Sequence, residues 1–95
     1  MTVEGRVQSI VIKHLKSRGF YVIKTKPGPG IPKGCLDIIF MKEGFWGSIE
    51  CKAYPNSKWQ TLQPETFKKF SDWSWAWVAH SENIEETKRA IDALA

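Results

Sequence analysis

A chain of 95 residues, 42% hydrophobic and 25% charged, holds one domain with a modest core and no room for a second, and its balance weighs against disorder. The net charge of +4 fits a polyanionic partner without requiring one. No run is long and apolar enough to cross a bilayer, and Met1-Thr2-Val3-Glu4 lacks the basic head and apolar stretch of a signal peptide. The expected setting is therefore a bacterial or host-cell cytoplasm, the product of a phage or mobile element included.

Residues 2–18 read as an amphipathic helix. Val3, Val7, Ile10, Val11 and Leu15 recur at steps of three and four, and Gly19 follows as a stop signal. Residues 20–25 read as a strand. Residues 27–34, Pro-Gly-Pro-Gly-Ile-Pro-Lys-Gly, exclude helix and inner strand and form a long loop. Two strands come next, over 35–41 and 46–52, joined by a turn at Lys42-Glu43-Gly44. After the break at Pro55-Asn56-Ser57, a helix is expected from about Pro64 to Asp72, with Pro64 tolerated in its first turn. Residues 75–79 form a fourth strand. Ser81 or Asn83 caps a last helix whose apolar positions are Ile84, Ile91 and Leu94. The order is α-β-β-β-α-β-α, in the α/β class, over one domain spanning 1–95.

The chemistry concentrates on the two middle strands. Side chains alternate along a strand, so Glu50 and Lys52 share a face and Cys51 points away from it. Pairing the two strands as a hairpin brings Asp37 close to Glu50. Two adjacent carboxylates repel unless a cation lies between them, and an oxygen-rich site of this kind suits Mg²⁺ or Mn²⁺. A neighbouring lysine would then polarise a phosphate or help water attack it. Metal-dependent phosphodiester hydrolysis is the expected reaction. Taken singly, Glu50-Cys51-Lys52 is a common surface pattern worth under ~1 kcal/mol as an ion pair. Asp37 is less ordinary, because strands disfavour Asp and its neighbours Ile38, Ile39 and Phe40 argue for burial.

Gly34-Cys35-Leu36-Asp37, then Glu50-Cys51-Lys52, then Gln60 and Gln63 resemble the motif series of the PD-(D/E)xK nuclease superfamily, most closely its VRR-NUC branch. The resemblance spans nearly the whole chain. Where the family usually has proline before the first acid, Leu36 stands here; proline there shapes the backbone and supplies no chemistry. The resemblance implies a restriction-endonuclease-like mixed central sheet flanked by helices. It makes Asp37 and Glu50 metal ligands, with the Cys51 backbone carbonyl as a third, and Lys52 the catalytic lysine. Glu4 matches the family's first-helix acid, reaching the metal directly or through water. The family glutamine falls on Gln63, with Gln60 the alternative.

The loop lysines Lys24, Lys26 and Lys33, with Lys58 beyond the second middle strand, are candidate DNA contacts. Lys68 and Lys69 extend the basic surface, whereas Lys88 and Arg89 suit a solvated face. Of the five tryptophans, Trp75 and Trp77 share a strand face by parity, and Trp59 is placed to stack on an unpaired base or in the core. The aromatic surplus suggests a homodimer. His14 and His80 lack metal-ligand neighbours and suit structural roles, and the two cysteines, Cys35 and Cys51, suit reduced core thiols. The expected function is divalent-metal-dependent cleavage of DNA, by structure (branched or junction DNA) rather than by base sequence, with no small-molecule cofactor and no membrane. The alternative is a catalytically inactive DNA-binding or protein-interaction module of the same fold.

Overall fold

The computed structural model describes residues 1–26 and 28–95; Pro27, expected at the head of the loop, lies outside the described residues. The elements run α1 (Val3–Ser17), β1 (Tyr21–Lys24), β2 (Ile38–Lys42), β3 (Phe45–Cys51), α2 (Gln63–Trp73), β4 (Trp75–Ala79) and α3 (Ile84–Leu94). This is the expected order. The four strands form one mixed sheet, β1-β2-β3-β4. β1/β2 and β2/β3 are antiparallel, and β3/β4 are parallel, joined by α2 as the crossover such a pair requires.

α1 begins where Thr2 accepts a hydrogen bond from the Gly5 amide at 3.0 Å, an N-cap that satisfies one of the free first-turn donors. It ends at Gly19, whose φ of +86° is the left-handed conformation that stops helices. Val7, Val11 and Leu15 of its apolar stripe are buried, while Val3 at the first turn remains exposed. Ile91 is the buried centre of α3, and a polar residue, Thr87, is buried one turn earlier. Asn83 precedes α3, yet its side chain does not cap it. Its Nδ2 donates to the Val78 carbonyl and its Oδ1 accepts from the His80 amide, tying the end of β4 to the helix.

Pairing register decides which side chains share a face. Ile38 lies opposite Ile49 and Ile49 opposite Trp77, so Ile38, Phe40, Ile49, Cys51, Trp75 and Trp77 face α1 and α3. Phe40 is the hub, with Phe20 at 5.2 Å and Trp75 at 5.7 Å between ring centroids. Gly47 allows this, since a Cβ there would stand 2.6 Å from Phe40 Cζ. Trp75 and Trp77 stack at 5.7 Å, and the Trp77 indole N–H donates to Thr87 Oγ1 at 2.9 Å. This tryptophan pair packs within the chain, against α3. His14 takes a structural place too, with Nε2 at 2.8 Å from Asp92, which also accepts from Arg18 at 2.6 Å. No helix of the described residues is long and apolar enough to cross a membrane.

Candidate active site

The opposite face of the sheet carries Trp46, Ser48 and Glu50 of β3, and α2 lies over it. Phe70 of α2 meets Trp46 edge-on at 5.6 Å. The strand expected over 35–41 begins only at Ile38, so Asp37 stands just outside β2. The pairing nonetheless continues informally: the Thr25 amide donates to the Asp37 carbonyl at 2.9 Å and Thr25 Oγ1 to the Leu36 carbonyl at 2.6 Å. A short acid suits this place, where its carboxylate accepts a main-chain N–H that no strand partner takes. Asp37 Oδ2 accepts from the Cys51 amide at 2.9 Å, and the Asp37 amide donates to Glu50 Oε1 at 3.2 Å. The two acids are thus tied together, directly by the Asp37 amide on the Glu50 carboxylate and indirectly by the Asp37 carboxylate on the amide of Cys51, the residue after Glu50.

Glu50 is only 1% exposed and Lys52 6%, yet each is fully partnered. Glu50 Oε2 forms an ion pair with Lys52 Nζ at 3.1 Å and accepts from Gln63 Nε2 at 2.8 Å. Gln63 Oε1 accepts in turn from Lys52 Nζ at 3.0 Å and from the Gln60 amide at 2.9 Å. The Lys58 carbonyl takes another Lys52 N–H at 3.1 Å, and the Trp59 ring lies 5.0 Å from the ammonium. An ammonium has three donors, and three acceptors surround this one. Burial and the adjacent Asp37 push the Glu50 carboxyl up to about 7, and Lys52 only partly offsets them.

Gln63, 6% exposed, is the first residue of α2, and Pro64 follows it in the first turn. Of the two candidate glutamines, it is Gln63 whose side chain enters the site, whereas Gln60 contributes its main-chain amide and keeps an exposed side chain. Cys51 points to the other face, where burial and then Asp37, Glu50 and Glu4 all raise its thiol, with Lys24 opposing. Within a strand the N–H and C=O of one residue point the same way, so the Cys51 carbonyl faces the Asp37 side. Glu4 of α1 acts on the Cys51 thiol through its charge. Among the described residues, no three His, Cys, Asp or Glu side chains are gathered to hold a metal by themselves.

Lys24, Lys26, Lys33 and Lys58 are exposed around this end of the sheet. Lys68 and Lys69 are drawn into surface ion pairs along α2, with Asp72 at 3.1 Å and Glu65 at 3.4 Å. A cleft of about 860 Å³ opens beside Asp37 and Gln63, between residues 28–35 and 60–63. Trp59, for which base stacking and core packing were both expected, takes the second course: it packs on Phe67 at 5.6 Å with its ring over Lys52. Neither the Lys58 carbonyl nor the Trp59 ring was marked by any motif as part of the lysine's surroundings; only their position between the Glu-x-Lys strand and the glutamine hinted at it. No protein-family model, curated protein or solved structure matches the chain.

Proposed function

We propose that this chain is a divalent-metal-dependent nuclease that hydrolyses phosphodiester bonds in DNA, built as a VRR-NUC-type member of the PD-(D/E)xK superfamily on a restriction-endonuclease-like sheet. One observation carries the reading: Asp37, Glu50, Lys52 and Gln63, drawn from three separate stretches of chain, meet at one end of the sheet. The donor set is hard oxygen, with a buried carboxyl that burial and then Asp37 push up to about 7, a penalty that a divalent cation would relieve. Asp37, Glu50 and the Cys51 carbonyl would hold Mg²⁺ or Mn²⁺, and Glu4 would act through water. The ion would supply Lewis acidity toward a phosphate oxygen and a more acidic bound water.

Lys52 brings a positive charge to the same carboxylate and stabilises charge that develops on the phosphate. Gln63 fixes both Glu50 and Lys52, so that neither side chain must reorganise as charge moves. Lys24, Lys26, Lys33 and Lys58 approach the backbone phosphates, giving affinity without sequence preference. Recognition is then of branched or junction DNA by shape. A homodimer would present two such sites to two strands.

The enclosure of Lys52 by two internal hydrogen-bond acceptors and the Glu50 carboxylate favours a second reading, a catalytically idle DNA-binding or protein-interaction module of the same fold. Labelled single strand, duplex, flap, splayed-arm and four-way-junction DNA, incubated with Mg²⁺, Mn²⁺ or EDTA, separates the two. Metal-dependent products from wild type that vanish in Asp37→Ala and Lys52→Ala establish the nuclease. Binding of branched DNA without products under either metal establishes the module.

A further inference from the structure

We propose that the cleft beside Asp37 seats one unpaired nucleotide of the DNA strand, a reading that rests on the nuclease assignment of the adjoining site. The cleft is built, not a gap between loose loops. Gly34, at a φ of +82°, lies directly against Leu62: a Cβ there would stand 2.6 Å from Leu62 Cβ and 2.8 Å from its main-chain carbon. That contact clamps the Pro/Gly loop onto the segment leading into α2. The space enclosed, about 860 Å³, falls in the roughly 300–1,000 Å³ range of sites that take small organic groups.

Its lining is that of a base seat. Ile31, Pro32 and Leu62 supply apolar walls, and Gln60 and Thr61 add polar groups for a base edge. Ile31 and Leu62 are 39% and 42% exposed, apolar surface left open in a basic region of the molecule. Asp37 and Gln63 belong both to the cleft and to the acid–lysine network, so a group in the cleft adjoins the reacting site without blocking it. Lys33 stands on the rim, exposed, and Lys24 and Lys26 flank Thr25 of the same wall. The occupant is therefore both apolar and anionic, with its anionic part able to reach the acids' metal site. A nucleotide within a strand has that character.

A paired base cannot enter, because its partner strand holds it in the stack. An unpaired nucleotide leaves the stack at the least cost, which turns the cleft into a selector for bulges, flaps and junction points. The cleft thereby gives the expected preference for DNA structure a physical basis.

The test is binding to a duplex with a one-nucleotide bulge, in EDTA so that nothing is cut. With 2-aminopurine as the bulged base, saturation by the protein should brighten its fluorescence, since the base leaves its neighbours for an apolar wall. A bulge with an abasic sugar should bind about tenfold more weakly than one with a base. The Ile31→Ala/Leu62→Ala variant changes two partly exposed side chains and should erase that difference while leaving affinity for perfect duplex unchanged. Equal binding of base-bearing and abasic bulges, no binding of either, or unchanged fluorescence overturns the proposal. Displacement of the bulge by excess dAMP also overturns it, reassigning the cleft to a free nucleotide. The two readings fail separately. Metal-dependent cleavage indifferent to the abasic change removes the cleft and keeps the nuclease; the expected fluorescence and affinity pattern without cleavage removes the nuclease and keeps the cleft.

Discussion

Gln63 Nε2 donates to Glu50 Oε2 at 2.8 Å, while its own carbonyl oxygen takes a Lys52 N–H at 3.0 Å. The amide thus satisfies a carboxylate and an ammonium at once where both are almost fully buried. Gln63→Ala would leave both short of a partner, and loss of about 2–3 kcal/mol in urea unfolding is expected. Gln60→Ala should change stability by less than about 0.5 kcal/mol, because only its main-chain N–H enters the network. Equal losses in the two variants would remove Gln63 from the site.

Glu50 makes the metal-free protein sensitive to pH in an unusual direction. Its carboxyl is raised from 4.5 to about 7 by burial and by Asp37, against the opposing Lys52. Between those values the folded chain binds more protons than the unfolded one, so stability falls as pH rises. The loss should amount to about 3 kcal/mol at most between roughly pH 4.5 and 7. Thermal melts in EDTA should show this decline in wild type and a flatter profile in Glu50→Gln. Adding Mn²⁺ should raise the wild-type Tm more at pH 8 than at pH 5, because a cation prefers the charged carboxylate. A wild-type profile that rises with pH in EDTA would contradict the burial of this acid.

Periodicity and parity carried the elements and the heart of the site. α1, β4 and the α-β-β-β-α-β-α order follow from apolar spacing, and the facing of Asp37 and Glu50 follows from hairpin pairing alone. The ambiguity between Gln60 and Gln63 was not resolvable that way. It depends on whether the helix opens at 63, which is decided by Gln63 finding Glu50 and Lys52 across the sheet rather than by a cap, since Leu62 offers none. Thr87 in the core was equally hidden, because burying a hydroxyl is tolerable only with the Trp77 N–H and the Asn83 carbonyl in place. The cleft depends on the path of two loops, for which sequence has no period.

Trp59 is expected to stabilise Lys52 electrostatically rather than to stack on DNA. Its ring lies 5.0 Å from the ammonium and braces on Phe67. A cation–π contact this shielded from water is worth about 1–2 kcal/mol. In a double-mutant cycle with Trp59→Leu and Lys52→Met, a coupling energy of about 1 kcal/mol is expected from urea unfolding. Additive losses would show that Trp59 merely fills space.

Gly34 is the residue on which the geometry of the cleft turns. Two glycines of the same loop have nearly the same backbone angle, +88° at Gly30 and +82° at Gly34, but a Cβ at Gly30 would meet nothing within 4 Å. Alanine at either position meets the left-handed strain of about 1–2 kcal/mol. Only at Gly34 must Leu62 and its main chain also move, separating the loop from the start of α2. Gly34→Ala should therefore cost at least about 1 kcal/mol more than Gly30→Ala, as an overpacked contact does. It should also quicken proteolysis within residues 28–35, where Gly30→Ala should not. Matching melts and matching cleavage rates for the two variants would mean that the Gly34–Leu62 contact does not hold the cleft's walls together.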